Sequence, residues 1–203
     1  HENNPNFGLP DFILGLYHKK NKSFRKADAQ FLLSLERGYN PVHCFIQMID
    51  LKLIQRDWQR GIGLSRQAVE KEGEQPEFYF LMGYCHYQLG EREQALACFD
   101  KTLELKPFEV EAIRNLAVIY LNQTEFDKAI PLLKKIQILA PQEFETQSLI
   151  ERALSRNPML AKEEYQPKLS KDFVSRVTPE YKYVFETDFN YVANAMNGYA
   201  LSL

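Results

Sequence analysis

The sequence predicts an all-α fold: a solenoid of antiparallel helix pairs extended by a C-terminal helical arm. Three observations predict it. Small residues recur at a 34-residue spacing. Each 34-residue block holds two apolar runs with three- and four-residue steps, the signature of paired amphipathic helices. No stretch reads as a strand.

Blocks counted from residue 8 span 8–41, 42–75, 76–109 and 110–143. Their eighth positions hold Gly15, Ile49, Gly83 and Ala117, and their twentieth positions hold Ala27, Gly61, Ala95 and Ala129. Their twenty-fourth positions hold Phe31, Ser65, Phe99 and Leu133. A fixed period in this range marks a solenoid, because one helical hairpin buries its apolar face only by stacking on the next.

The first block is degenerate, with Tyr39 where later blocks carry proline. Its inter-helix run KKNKSFRK, residues 19–26, reads as a solvated loop. Phe24, Trp58 and Phe126 are expected to pack at the start of each second helix. The second block is degenerate too, with Gly73 at the proline position; its large Ile49 is expected to be compensated by Gly61. In the third block the apolar runs are Phe78, Leu81, Met82, Cys85 and then Ala95, Leu96, Phe99, Leu103. Leu89-Gly90-Glu91 separates them, since glycine takes the left-handed conformation that ends a helix. Gly83 and Ala95 are expected where the two helices cross closely, as large side chains on both would push the backbones apart. Pro107 and Pro141 end the second helices of blocks three and four. Residues 144–156 read as a capping helix that covers the last apolar face, so the solenoid is expected over 1–157.

The arm, 158–203, leaves the period and carries eight aromatic residues, too many for a typical disordered tail. Thr178-Pro179 is an N-cap with proline at the first helical position. A helix is expected near 179–197, with Tyr181, Phe185, Phe189, Val192 and Met196 as its contact face. An isolated helix of this length is marginal, so that face needs a cover. Packing in cis, in trans or on the convex face all remain open.

Two segments carry a resemblance. M-G-x(11)-A-x(3)-F-x(7)-P from Met82 to Pro107, and L-A-x(2)-Y-x(8)-A-x(3)-L-x(7)-P from Leu116 to Pro141, resemble the tetratricopeptide repeat (TPR) family. His86 departs from the family's usual Tyr, and Thr102 and Ile136 from a usual Ala. The resemblance implies a right-handed superhelix whose first helices line a concave groove. Carried onto this sequence, the protein-binding groove comprises Gln47, Asp50, Phe80, Tyr84, Tyr87, Gln88, Arg114, Asn115, Val118 and Asn122. A well-known subfamily clamps a peptide carboxylate at positions that fall here on Phe12 and Leu16, which can neither donate to a carboxylate nor pair with it.

The function expected is a non-catalytic protein–protein interaction module that binds an apolar or aromatic protein segment in its groove, as scaffold or assembly factor. The alternative is a structural protein that self-associates through its arm into a homo-oligomer. In the first reading Phe80, Tyr84 and Tyr87 meet a separate protein; in the other the arm covers them. No cofactor, metal or catalytic grouping is expected. The four histidines lack ligand spacing, and no phosphate loop or nucleophile elbow is present. A net charge of −2 gives no field that selects nucleic acid, and the longest apolar runs fall short of a membrane span. Three cysteines, an odd and sparse set, lean toward a reducing, cytoplasmic compartment. A first residue of His rather than Met is also compatible with a processed, exported form.

Overall fold

The structure is a computed structural model and describes residues 7–141 and 144–156. The arm helix expected near 179–197, with its face of Tyr181, Phe185, Phe189, Val192 and Met196, lies outside the described residues.

Among the described residues every regular element is an α-helix. They are α1 (Leu9–Lys20), α2 (Phe24–Glu36), α3 (Pro41–Ile54), α4 (Trp58–Glu72), α5 (Pro76–Gln88), α6 (Arg92–Leu105), α7 (Val110–Asn122), α8 (Phe126–Leu139) and α9 (Phe144–Arg156). Consecutive helices pack as antiparallel hairpins, and each hairpin stacks on the next.

The hairpin turns share one construction. Lys22, Arg56, Gly90 and Thr124, at the same place in the four blocks, all take the left-handed conformation, with φ of 57°, 58°, 77° and 61°. The next residue's N–H then donates back across the helix end. Ser23 reaches the carbonyl of His18 at 2.9 Å, Asp57 that of Lys52 at 2.9 Å, Glu91 that of His86 at 2.9 Å and Glu125 that of Tyr120 at 3.0 Å. These six-to-one bonds satisfy carbonyls that would otherwise be orphaned.

Connections between repeats use two devices. Gly38 and Gly73, at φ of 80° and 81°, follow α2 and α4, whereas Pro107 and Pro141 follow α6 and α8. Pro41 and Pro76 begin α3 and α5, where a missing N–H costs nothing. The Asn40 side chain accepts from the His43 N–H at 3.1 Å, capping α3.

The core runs along the stack, and its small residues are not spaced as the sequence reading supposed. A Cβ on Gly15 would lie 2.5 Å from the Phe31 ring, and one on Gly83 would lie 3.0 Å from the Phe99 ring and from Cys98. The eighth position therefore makes room for the aromatic at the twenty-fourth, not for the small residue at the twentieth. The twentieth position packs toward the following repeat as well as toward its own first helix. Ala27 and Phe31 cluster with Met48 and Leu51 of α3. Ala95 and Phe99 cluster with Leu116 and Ile119 of α7. Gly61 obeys the same rule: its added Cβ would lie 2.7 Å from Cys85 Sγ on α5 and 3.3 Å from Leu53 Cδ1 on α3. Ile49 packs elsewhere, with Phe45, Ala68 and Phe78. Gly61 thus compensates Cys85 of the next repeat rather than Ile49 of its own.

Candidate protein-binding groove

The first helices of the hairpins, α1, α3, α5 and α7, supply the candidate residues, and they fall into a polar section and an aromatic section. In the polar section Lys19 of α1 reaches across to α3. Its ammonium donates to Gln47 Oε1 at 2.7 Å and pairs with Asp50. Beside it, Lys52 returns to Asp28 of α2 at 2.7 Å. Both Gln47 and Asp50 are therefore held by the neighbouring repeat, and each keeps part of its surface in solvent.

The aromatic section lies on α5. Tyr84 meets the Trp58 ring edge-on at 6.1 Å, and Phe80 tilts against Phe99 at 5.8 Å. Phe80, Tyr84 and Tyr87 are half-buried, with one side on the cluster of Ala95, Phe99, Ala112, Leu116 and Ile119. Each ring packs on one side and retains a solvent face. The Tyr87 hydroxyl accepts from Asn122 Nδ2 at 3.2 Å, tying α5 to α7. Around that bond is a cleft of about 310 Å³ lined by Tyr87, Gln88, Gly90, Arg92, Ile119 and Asn122. It combines an aromatic wall, two amides and a guanidinium.

Tyr87, Gln88 and Asn122 thus meet in one place, and Gln47 and Asp50 meet through Lys19. Arg114, Asn115 and Val118 do not line the cleft. Asn115 turns its amide back to the Glu111 carbonyl at 2.7 Å, and Arg114 lies 3.5 Å from the Glu111 carboxylate. Val118 is half-buried. Two polar contributors escaped the sequence reading. Lys19 occupies the block position that Tyr87 holds two repeats later, so the period itself could have found it. Arg92 sits on a second helix, outside any rule confined to first helices. At the position of the family's carboxylate clamp, Phe12 packs against Phe31 and Tyr39, with ring centroids 5.5 and 4.7 Å apart.

The remaining reactive groups are quenched by their surroundings. Cys44, Cys85 and Cys98 are free thiols. Burial pushes Cys44 up, and pushes Cys85 up to about 12. Burial also raises Cys98, partly offset by Arg66. All three stay protonated near neutral pH, where only a thiolate is an effective nucleophile. His86 is buried, with Nδ1 2.5 Å from Glu91 Oε2, so the histidine that replaces a customary tyrosine has its own partner. Among the described residues no three His, Cys, Asp or Glu side chains are placed to hold a metal ion. No described helix is long and apolar enough to cross a membrane.

Residues 76–108 match the family model of the tetratricopeptide repeat. Among the solved structures similar to this chain are the following three. MamA from Desulfovibrio magneticus RS-1, residues 41 to the end, superposes with a TM-score of 0.64 at 14% identity, over 75% of this chain and 86% of that one. The Cut9–Hcn1 hetero-tetramer of the APC/C gives 0.62 at 20% identity, over 73% of this chain but only 30% of that one. YrrB, described as a TPR protein with an unusual peptide-binding site, gives 0.56 at 20% identity, over 75% of this chain and 76% of that one. At these identities the likeness is one of fold.

Proposed function

We propose that this tetratricopeptide-repeat chain is a non-catalytic protein–protein interaction module. It binds an apolar or aromatic segment of a partner protein along its first helices and acts as scaffold or assembly factor. The observation that carries the reading is the cleft at the α5–α7 junction, where Tyr87, Gln88, Arg92 and Asn122 surround about 310 Å³. Half-buried aromatic rings are the side chains in which interface energy concentrates, because they bring large area at little entropic cost. The amides and the guanidinium beside them can satisfy the backbone of an extended or helical segment that docks there. Protonated thiols and ion-paired carboxylates fit a recognition surface better than a catalytic one.

The test is peptide selection from a random displayed library on the purified chain, followed by affinity measurement on the double variant Tyr84→Ala/Tyr87→Ala. Selected peptides are expected to be rich in aromatic and aliphatic residues. Loss of two anchors of this kind is expected to weaken binding by about 30-fold or more, with the circular dichroism of the fold retained. Equal affinity for the folded variant would place the site elsewhere.

A further inference from the structure

We propose that the cleft at the α5–α7 junction is an aromatic slot that the third repeat does not fill for itself. It takes an aromatic side chain of a partner segment that carries a carboxylate beside the ring. This rests on the protein-binding reading above and adds which side chains are read there.

The argument is one of register. The seventeenth position of each 34-residue block opens the second helix. In the first, second and fourth blocks it is aromatic: Phe24, Trp58 and Phe126. Each of these rings packs into the chain's own stack. Phe24 lies on the cluster of Ala27, Phe31, Met48 and Leu51. Trp58 joins Ile62, Met82 and Cys85, and meets Tyr84 edge-on at 6.1 Å. Phe126, 9% exposed, belongs to the cluster that holds Ile150 and Ala153. In the third block the same position is Arg92, and it is exposed.

The cleft lies where that ring would pack. Tyr87, in its wall, is the twelfth residue of its block, and Ile119 is the tenth of the next. One repeat earlier those two positions are Leu53 and Cys85, and both share a cluster with Trp58. A ring brought by a partner can therefore repeat at this seam the packing that Trp58 makes at the preceding one, and about 310 Å³ gives it room.

The carboxylate follows from Arg92. Among the described residues its guanidinium has no hydrogen-bond or ion-pair partner. The adjacent Glu91 is engaged by His86 Nδ1 at 2.5 Å, and Glu125, on the turn of the next repeat, by Lys128 at 2.5 Å. A guanidinium both stacks on a ring and forks onto a carboxylate, so it reads the two groups together. The Tyr87 hydroxyl accepts from Asn122, which leaves its own O–H as a further donor.

The experiment is a titration of the ¹⁵N-labelled full chain with 3-(indol-3-yl)propionate, followed by heteronuclear NMR. The amide signals of Gln88, Gly90, Arg92 and Asn122 are expected to shift to saturation. The neutral analogue 3-(indol-3-yl)propanamide should bind at least about threefold more weakly. Arg92→Gln should erase that difference between acid and amide. Arg92→Trp places the chain's own ring in the slot and should abolish saturable shifts at these residues. Three other repeats already carry an aromatic there, so the fold accepts it, and a melting curve checks this. No saturable shift at the cleft, equal binding of acid and amide, or binding that survives Arg92→Trp overturns the proposal. So does sedimentation showing a dimer that Arg92→Trp turns into a monomer, because a second copy would then be the occupant. Failure here is separable from failure of the broader reading: library-selected peptides that depend on Tyr84 and Tyr87 would still uphold the interaction module.

Discussion

Lys22, Arg56, Gly90 and Thr124 perform one job with four side chains. Each holds the left-handed turn that lets the next N–H bond back to the helix end. The geometry asks for no side chain, and a Cβ there costs about 1–2 kcal/mol, most when the residue is β-branched. Thr124, at φ 61°, is therefore the most strained of the four. Thr124→Gly is expected to raise stability by about 1 kcal/mol, the relief of strain exceeding the extra entropy glycine gives the unfolded chain. Thr124→Ala keeps a Cβ and should change little. Urea midpoints of the two variants against the parent check this; an equal response would mean that the turn is not strained. Only Gly90 announces such a turn by residue type. Lys22, Arg56 and Thr124 give no local sign, and they are legible only because the 34-residue period puts them in line with Gly90.

Within a helix, the same residue type has opposite consequences two positions apart. In α4 an added Cβ on Gly61 would lie 2.7 Å from Cys85 Sγ, while one on Gly63 would meet nothing within 4 Å. Gly61→Ala is expected to destabilise by about 1–3 kcal/mol, since α4 and α5 must move apart to admit it. Gly63→Ala is expected to stabilise by about 0.5–1 kcal/mol through helix propensity alone. Both should shift the denaturation midpoint at constant slope, and like signs for the two would refute the seam assigned to Gly61. Element by element, the helix pairs were legible because amphipathic periodicity and Gly or Pro punctuation agree. The partner of each small residue was not. Periodicity locates a residue on a face, but which neighbour that face meets depends on how the hairpins stack. That is why Gly61 reads in sequence as the complement of Ile49 and sits in fact against the following repeat. The site shows the same limit. Tyr84, Tyr87, Gln88 and Asn122 follow from counting along first helices, whereas Arg92 reaches the cleft from a second helix that the count does not visit.

Across the described stack, contacts run between neighbours. The cluster of Ile113, Leu133, Ile136, Ile150 and Ala153 belongs to α7, α8 and α9, and the cluster of Ala27, Phe31, Met48 and Leu51 belongs to α2 and α3. Stability in such an array is the sum of repeat and interface terms, so an injury at one end need not be felt at the other. Leu133 is fully buried in the α7–α9 cluster. Leu133→Ala should therefore cost about 2–5 kcal/mol locally. Native-state hydrogen exchange is the measurement that separates local from global loss. The amides of α7, α8 and α9 are expected to exchange faster in the variant, by a factor matching that cost, while those of α2 and α3 keep the protection of the parent. If every helix lost protection by the same factor, the stack would be opening as one cooperative unit, and the repeat-additive description would fail. If the loss stays at one end, the aromatic section at α5–α7 and the polar section at α1–α3 lie in regions whose stabilities can be changed separately. Each could then be disabled by mutation without unfolding the other.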